Sequence, residues 1–138
     1  MMHFDYKVAG GDFTGAGLAS SQLKKVLKQL GVNPGIIKRA VIALYEAEVN
    51  IVAHANKGTI RIHITSDLIK MELDDEGPGI EDISKAMEKG YSTASEKVRS
   101  MGFGAGMGLP NIQLNADHFN ITSTPGIGTH LEIIVQLR

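Results

Sequence analysis

Apolar residues recur along this chain with two different periods, and each change of period marks a new element. Between Leu18 and Leu30 they fall at Leu23, Val26, Leu27 and Leu30, with Lys24, Lys25 and Lys28 between them. That is the spacing of an amphipathic helix, closed by Gly31. Asn33-Pro34 reopens helix with an N-cap and a first-turn proline, predicting a second helix over Pro34 to Ala55. Its apolar face comprises Ile37, Ala40, Val41, Leu44, Ile51 and Ala55. After Gly58 the period becomes two: Ile60, Ile62 and Ile64 alternate with Arg61, His63 and Thr65, and a turn at Ser66-Asp67 leads to a second strand, Leu68 to Asp74. The segment His3 to Val8 reads as an earlier strand, ended by Gly10-Gly11. A short helix is expected over Ile83 to Lys89, and a third from Leu109-Pro110 to Asp117. Two final strands, Phe119 to Ser123 and His130 to Leu137, flank a turn at Thr124 to Gly128. Strands that follow one another in hairpins predict an α+β fold: a two-layer sandwich with a mixed, mostly antiparallel sheet covered on one face by helices.

With 138 residues the chain suits a single domain over 1–138. Composition changes this picture in one respect. Seven of the 16 glycines (Gly77, Gly79, Gly90, Gly102, Gly104, Gly106 and Gly108) fall between Gly77 and Gly108, which points to a site there rather than to general looseness. A net charge of −1 gives no basic excess for nucleic acid, and none is expected as a partner. No apolar run approaches the ~20 residues that span a bilayer, and Met1 to Gly11 lacks a signal-peptide core. No membrane association and a cytoplasmic location are therefore expected. The absence of cysteine excludes thiolate chemistry.

Four constellations offer chemistry. Glu46, Asn50 and His54 follow at i, i+4 and i+8, forming one polar ridge on the second helix, with Ile42, Val49 and Ala53 beside it. The ridge combines a carboxylate able to take a proton with an amide oxygen suited to a hard cation such as Mg²⁺. Glu48 falls within the apolar stripe, as a buried carboxylate satisfied by a basic partner or at an exposed edge. Asp75-x-Gly77-x-Gly79 ends a strand, where a carboxylate can accept from an exocyclic amine and the glycines admit a flat ligand. Gly102 to Leu109 alternates glycine with Phe103, Ala105 and Met107 ahead of a helix, so backbone N–H groups and a helix N-terminus can converge on an anion. Gly128-Thr129 opens the last strand. Taken singly, the first three are also compatible with a solvated helix face, an acidic turn and a surface loop, and Gly128-Thr129 with a hairpin turn.

In this order the four elements resemble the GHKL ATPase superfamily: Glu46-x-x-x-Asn50 with His54, Asp75-x-Gly77-x-Gly79, Gly104-x-Gly106-x-Gly108-Leu109, and Gly128-Thr129. Within it the chain is most similar to bacterial serine protein kinases of the anti-sigma factor and switch-kinase type. Tyr45 to Ile51 resembles their Glu-x-x-x-Asn helix, and Gly90-Tyr91-Ser92-Thr93 the start of their lid. The resemblance implies a Bergerat-type ATP site and transfer of phosphate to a serine or threonine of a STAS-domain anti-anti-sigma partner, with a sigma factor as a further partner. A homodimer is compatible with it. Glu46 would be the catalytic base and Asn50 the Mg²⁺ ligand. Asp75 would accept from adenine, with Gly77, Gly79 and Thr129 around the base. Gly104, Gly106, Met107, Gly108 and Leu109 would wrap the phosphates, and His54 matches the family position. The family often carries an arginine just before the phosphate-binding glycines, where this chain has Gly104; Lys97 and Arg99 lie a few residues upstream as substitutes. The alternatives are an ATP-gated binding module that sequesters a partner with little phosphotransfer, and a detached histidine-kinase catalytic domain.

Overall fold

The computed structural model describes residues 2–88 and 108–137. Strand β1 (Met2–Ala9) precedes helices α1 (Leu18–Gln29) and α2 (Pro34–His54). A hairpin of β2 (Lys57–Ile64) and β3 (Leu68–Glu76) follows, then a single turn of helix, α3 (Ile83–Ala86). Helix α4 (Gly108–Asn115) leads to the closing hairpin of β4 (His118–Thr124) and β5 (Gly128–Gln136). The sheet order is β1-β2-β3-β5-β4 and every neighbouring pair is antiparallel, a more uniform sheet than the mixed one expected.

Alternation along the strands sorts the sheet into an apolar face and a charged face. One apolar row crosses all five strands, Phe4-Ile62-Met71-Ile133-Phe119, and the next is Tyr6-Ile60-Leu73-Leu131-Ile121. Against these rows pack Leu23 and Leu27 of α1, Ala40, Leu44 and Ile51 of α2, and Leu109 and Ile112 of α4, all buried. Complete burial of a leucine or isoleucine contributes ~1.5–3 kcal/mol, so this layer outweighs any surface pair. The opposite face carries Asp5-Arg61-Glu72-Glu132-Asn120 in one row and Lys7-Thr59-Asp74-His130-Thr122 in the next.

Local chemistry sets the element ends. At the α1 C-terminus Gly31 (φ 72°) and Val32 return their N–H groups to Lys28 and Leu27, a Schellman closure. Asn33 caps α2 by accepting the Gly35 N–H at 2.8 Å. Helix α3 stops at Ala86, short of the Lys89 expected, because the Glu88 N–H turns back three residues to Lys85. Helix α4 ends at Asn115 rather than Asp117, since the Asp117 N–H already bonds Ile134 of β5. The Asp117 carboxylate then accepts from Gln136 N–H at 2.6 Å and from Arg39 at 2.9 Å.

Glu48 resolves into a specific structural role. Helix α1 starts after Gly17 (φ 98°) with no side-chain cap of its own. The Glu48 carboxylate, reaching across from α2 and 2% exposed, accepts the first-turn N–H groups of Ala19 (3.2 Å) and Ser20 (3.4 Å). A negative group there also meets the positive end of the helix dipole. The buried carboxylate is therefore satisfied by backbone rather than by a basic side chain.

Candidate functional site

At one end of the sheet the helix-covered face stops being apolar. The row beyond Leu73-Leu131-Ile121 consists of Asp75, Thr129 and Ser123, polar residues at inward positions. Asp75 Oδ1 accepts the Thr129 N–H at 3.0 Å, which leaves Oδ2 for a second donor. Burial pushes the Asp75 carboxyl up from its ordinary range, the Thr129 N–H pulls it down, and the charge of Asp74 raises it further. Ser123 Oγ donates to the Gly128 carbonyl (3.0 Å) and accepts the Ile80 N–H (2.8 Å). Its 2.9 Å contact with Thr129 Oγ1 is then a bond donated by Thr129, whose lone pairs stay available. Ser123 had no place in the motifs. Its position was readable, because β4 turns Phe119 and Ile121 inward and the same parity brings Ser123 with them.

The Asp75-x-Gly77-x-Gly79 loop is fastened to the β4–β5 turn. Gly77 N–H donates to Ile127 (3.0 Å) and Gly126 N–H donates to Pro78 (2.7 Å). Gly79 sits at φ 72°, and a Cβ there would lie 2.5 Å from the Thr124 carbonyl oxygen. A Cβ on Gly128 would lie 2.0 Å from the Asp75 carbonyl oxygen. Glycine is thus required at both positions by close approach of two backbones.

Helix α2 closes the site from above. Glu46, Asn50 and His54 are all half-buried, as a ridge facing a cleft should be. The C-terminal end of α2 lies on the Asp75–Gly79 loop: a Cβ on Gly77 would sit 2.9 Å from Ala55 Cα. Glu46, two turns earlier, lies by the start of α4, where a Cβ on Gly108 would be 3.5 Å from Glu46 Oε2. The ridge therefore runs from the Asp75 loop to the N-terminus of α4. Leu109, placed by its motif among the phosphate-binding residues, turns its side chain into the core. Lys97, Arg99, Gly104, Gly106 and Met107 lie outside the described residues.

Burial lowers the His54 pKa, favouring the neutral ring. The unfolded chain takes up that proton more readily, so acidification through about pH 6.5 costs stability. Thermal unfolding between pH 7.5 and 5.5 should show Tm falling, with at most ~1.4 kcal/mol per pH unit from this one proton. His54→Gln should flatten that slope. An equal slope in both proteins would remove His54 as its source.

An acceptor at a sheet end, two close-packed glycine turns and a carboxylate–amide ridge leading to a helix N-terminus thus meet at one end of the two-layer α+β sandwich. The chain belongs to the histidine kinase-like ATPase domain family, whose model matches residues 14–135. It is 36% identical over 126 residues to the serine/threonine-protein kinase RsbT of Bacillus subtilis, covering 88% of this chain and 89% of that one. It is 40% identical over 92 residues to an anti-sigma F factor of Caldanaerobacter subterraneus, spanning 63% of this chain and 61% of that factor. The fold matches the crystal structure of the RsbU and RsbW domains of Rv1364c from Mycobacterium tuberculosis with a TM-score of 0.66, at 14% identity, over 99% of this chain and 33% of that one. No helix among the described residues is long and apolar enough to cross a membrane.

Proposed function

We propose that this protein is an ATP-dependent serine/threonine protein kinase of the switch type, acting on a serine or threonine of a STAS-domain anti-anti-sigma partner in the cytoplasm. The observation that carries the reading is the placement of Glu46, beside the α4 N-terminus and one helical turn before Asn50. Identity to RsbT along nearly the whole chain supports it.

The residues present fit MgATP. Asp75 keeps one oxygen for the adenine amine, Gly79 holds its loop against the β4–β5 turn beside that carboxylate, and Thr129 adds acceptor capacity there. Asn50 would offer Mg²⁺ an amide oxygen, a donor of the kind that cation accepts. MgATP supplies the transferable phosphoryl group, with the metal neutralising phosphate charge. Glu46 would hold the acceptor hydroxyl by a hydrogen bond and take its proton as that oxygen bonds to the γ-phosphorus and the bond from this phosphorus to the leaving ADP oxygen breaks. The N-terminus of α4 aims its dipole at the negative charge around that centre.

Asp75→Asn should weaken ADP binding by about 10- to 100-fold, because an amide that keeps its oxygen on Thr129 N–H presents a donor to the adenine amine. Titration calorimetry checks this, and unchanged affinity would place adenine elsewhere. For the activity itself, labelled ATP with a STAS-domain partner should yield phosphoserine or phosphothreonine on the partner.

The 40% identity to an anti-sigma F factor favours a second reading, a nucleotide-gated module that acts by sequestering its partner. A non-hydrolysable ATP analogue separates the two: only the sequestering module reaches its full effect without transfer.

A further inference from the structure

On the charged face of the sheet, directly behind the adenine-side carboxylate, Asp74 is held between two basic groups from two different strands. Arg61 Nη2 of β2 lies 2.5 Å from Asp74 Oδ2, and His130 Nδ1 of β5 lies 2.5 Å from Asp74 Oδ1. His130 is the register partner of Asp74, so the pair ties β3 to β5 one residue from where Asp75 meets Thr129. Asp74 is the chain neighbour of Asp75 and His130 that of Thr129, while Arg61 joins the group through its bond to Asp74.

The structure assigns to Arg61 and His130 a positioning role: by neutralising Asp74 they keep Asp75 ionised, and so able to accept the adenine amine, while fixing it in register with Thr129. The inference rests on reading Asp75 as the adenine acceptor. Two carboxylates on adjacent residues oppose each other's ionisation. Asp74 has burial against its charge, but the hydrogen bonds from His130 and Arg61 outweigh burial and hold it below its ordinary range. Among the described residues Asp75 has no such basic partner; burial and the Asp74 charge both push it up. Whatever charge on Asp74 the two basic groups leave uncompensated is therefore felt by the carboxylate that must bind adenine.

Other charges face the pair. Along β3 stand Glu72, 3.7 Å from Arg61, and Glu76, which pairs with Lys57 of β2 at 3.1 Å. Lys7 of β1 shares the Asp74 row, Glu132 of β5 the adjacent one, and His54 ends α2 above the loop. These stay constant across the variants below and set the common baseline.

The experiment is ADP affinity as a function of pH, by titration calorimetry from pH 4.5 to 8, with folding confirmed by circular dichroism at each pH. In the wild type affinity should fall on the acid side as Asp75 takes up a proton. Arg61→Gln and His130→Gln, which keep a donor to Asp74 but remove a basic group, should move that midpoint upward by roughly half a pH unit. Asp74→Asn should move it downward by a similar amount, the opposite sign. A role confined to strand register predicts weaker binding at every pH with one common midpoint in all three variants, and that result would overturn the proposal. Asp75→Asn is the control for the underlying reading. If it binds ADP as the wild type does, Asp75 is not the acceptor. If it loses affinity while the midpoints of the other variants coincide, the adenine assignment stands and the electrostatic role of Asp74, Arg61 and His130 fails.

Discussion

Glu46→Gln is expected to lower phosphoryl transfer to the partner by about 10²- to 10⁴-fold, the usual contribution of a positioned general base. ADP affinity should be nearly unchanged. The substitution is isosteric, so the amide still fits between α2 and the start of α4, where Glu46 Oε2 approaches Gly108. What it loses is the capacity to take a proton. The split between transfer and binding is the informative part. A variant that lost both would show that Glu46 shapes the site rather than performing chemistry in it, and a variant that labelled the partner at the wild-type rate would remove it as the base.

Glu48→Ala is expected to be the most destabilising single change outside the apolar core, costing roughly 2–3 kcal/mol. Ala19 and Ser20 would each keep a buried N–H without its carboxylate acceptor, and α1 would lose the side-chain cap that Glu48 supplies at its N-terminus. For a domain of this size that corresponds to a fall in Tm of about 10 °C. Glu48→Gln retains one acceptor oxygen and should lose less than half as much. Equal melting temperatures for wild type and alanine variant would mean that water replaces the carboxylate without cost.

The fold was largely legible because its two periods are clean. Alternation at Ile60, Ile62 and Ile64 and at Ile69, Met71 and Leu73 identified the hairpin, and helical spacing identified α1 and α2. Element ends were less so: α3 and α4 stop where individual backbone N–H groups find other partners, which leaves no mark in a hydropathy pattern. The site motifs around Asp75, Gly79 and Thr129 stood out as residue types with an unusual spacing. Glu48 stood out as an anomaly, but its partners are backbone amides, which every residue except proline owns. The Asp74, Arg61 and His130 group was invisible for a different reason. Three ionisable residues on three strands become neighbours only once the register is fixed, and β3 pairs with β5 across more than 50 residues of chain.

Helix α2 serves two masters from one rigid rod. Glu46 and Asn50 are the residues proposed to serve the nucleotide while Glu48, lying between them in sequence, holds the first turn of α1. Inserting or deleting one residue in this stretch rotates everything beyond it by about 100°, so no single shift keeps all three aligned. Length variation is therefore expected to be excluded from residues 46–50, even where individual side chains tolerate exchange. A deletion scan read by folded yield would show this stretch as a sharp gap, with tolerance returning in the loop at residues 10–17.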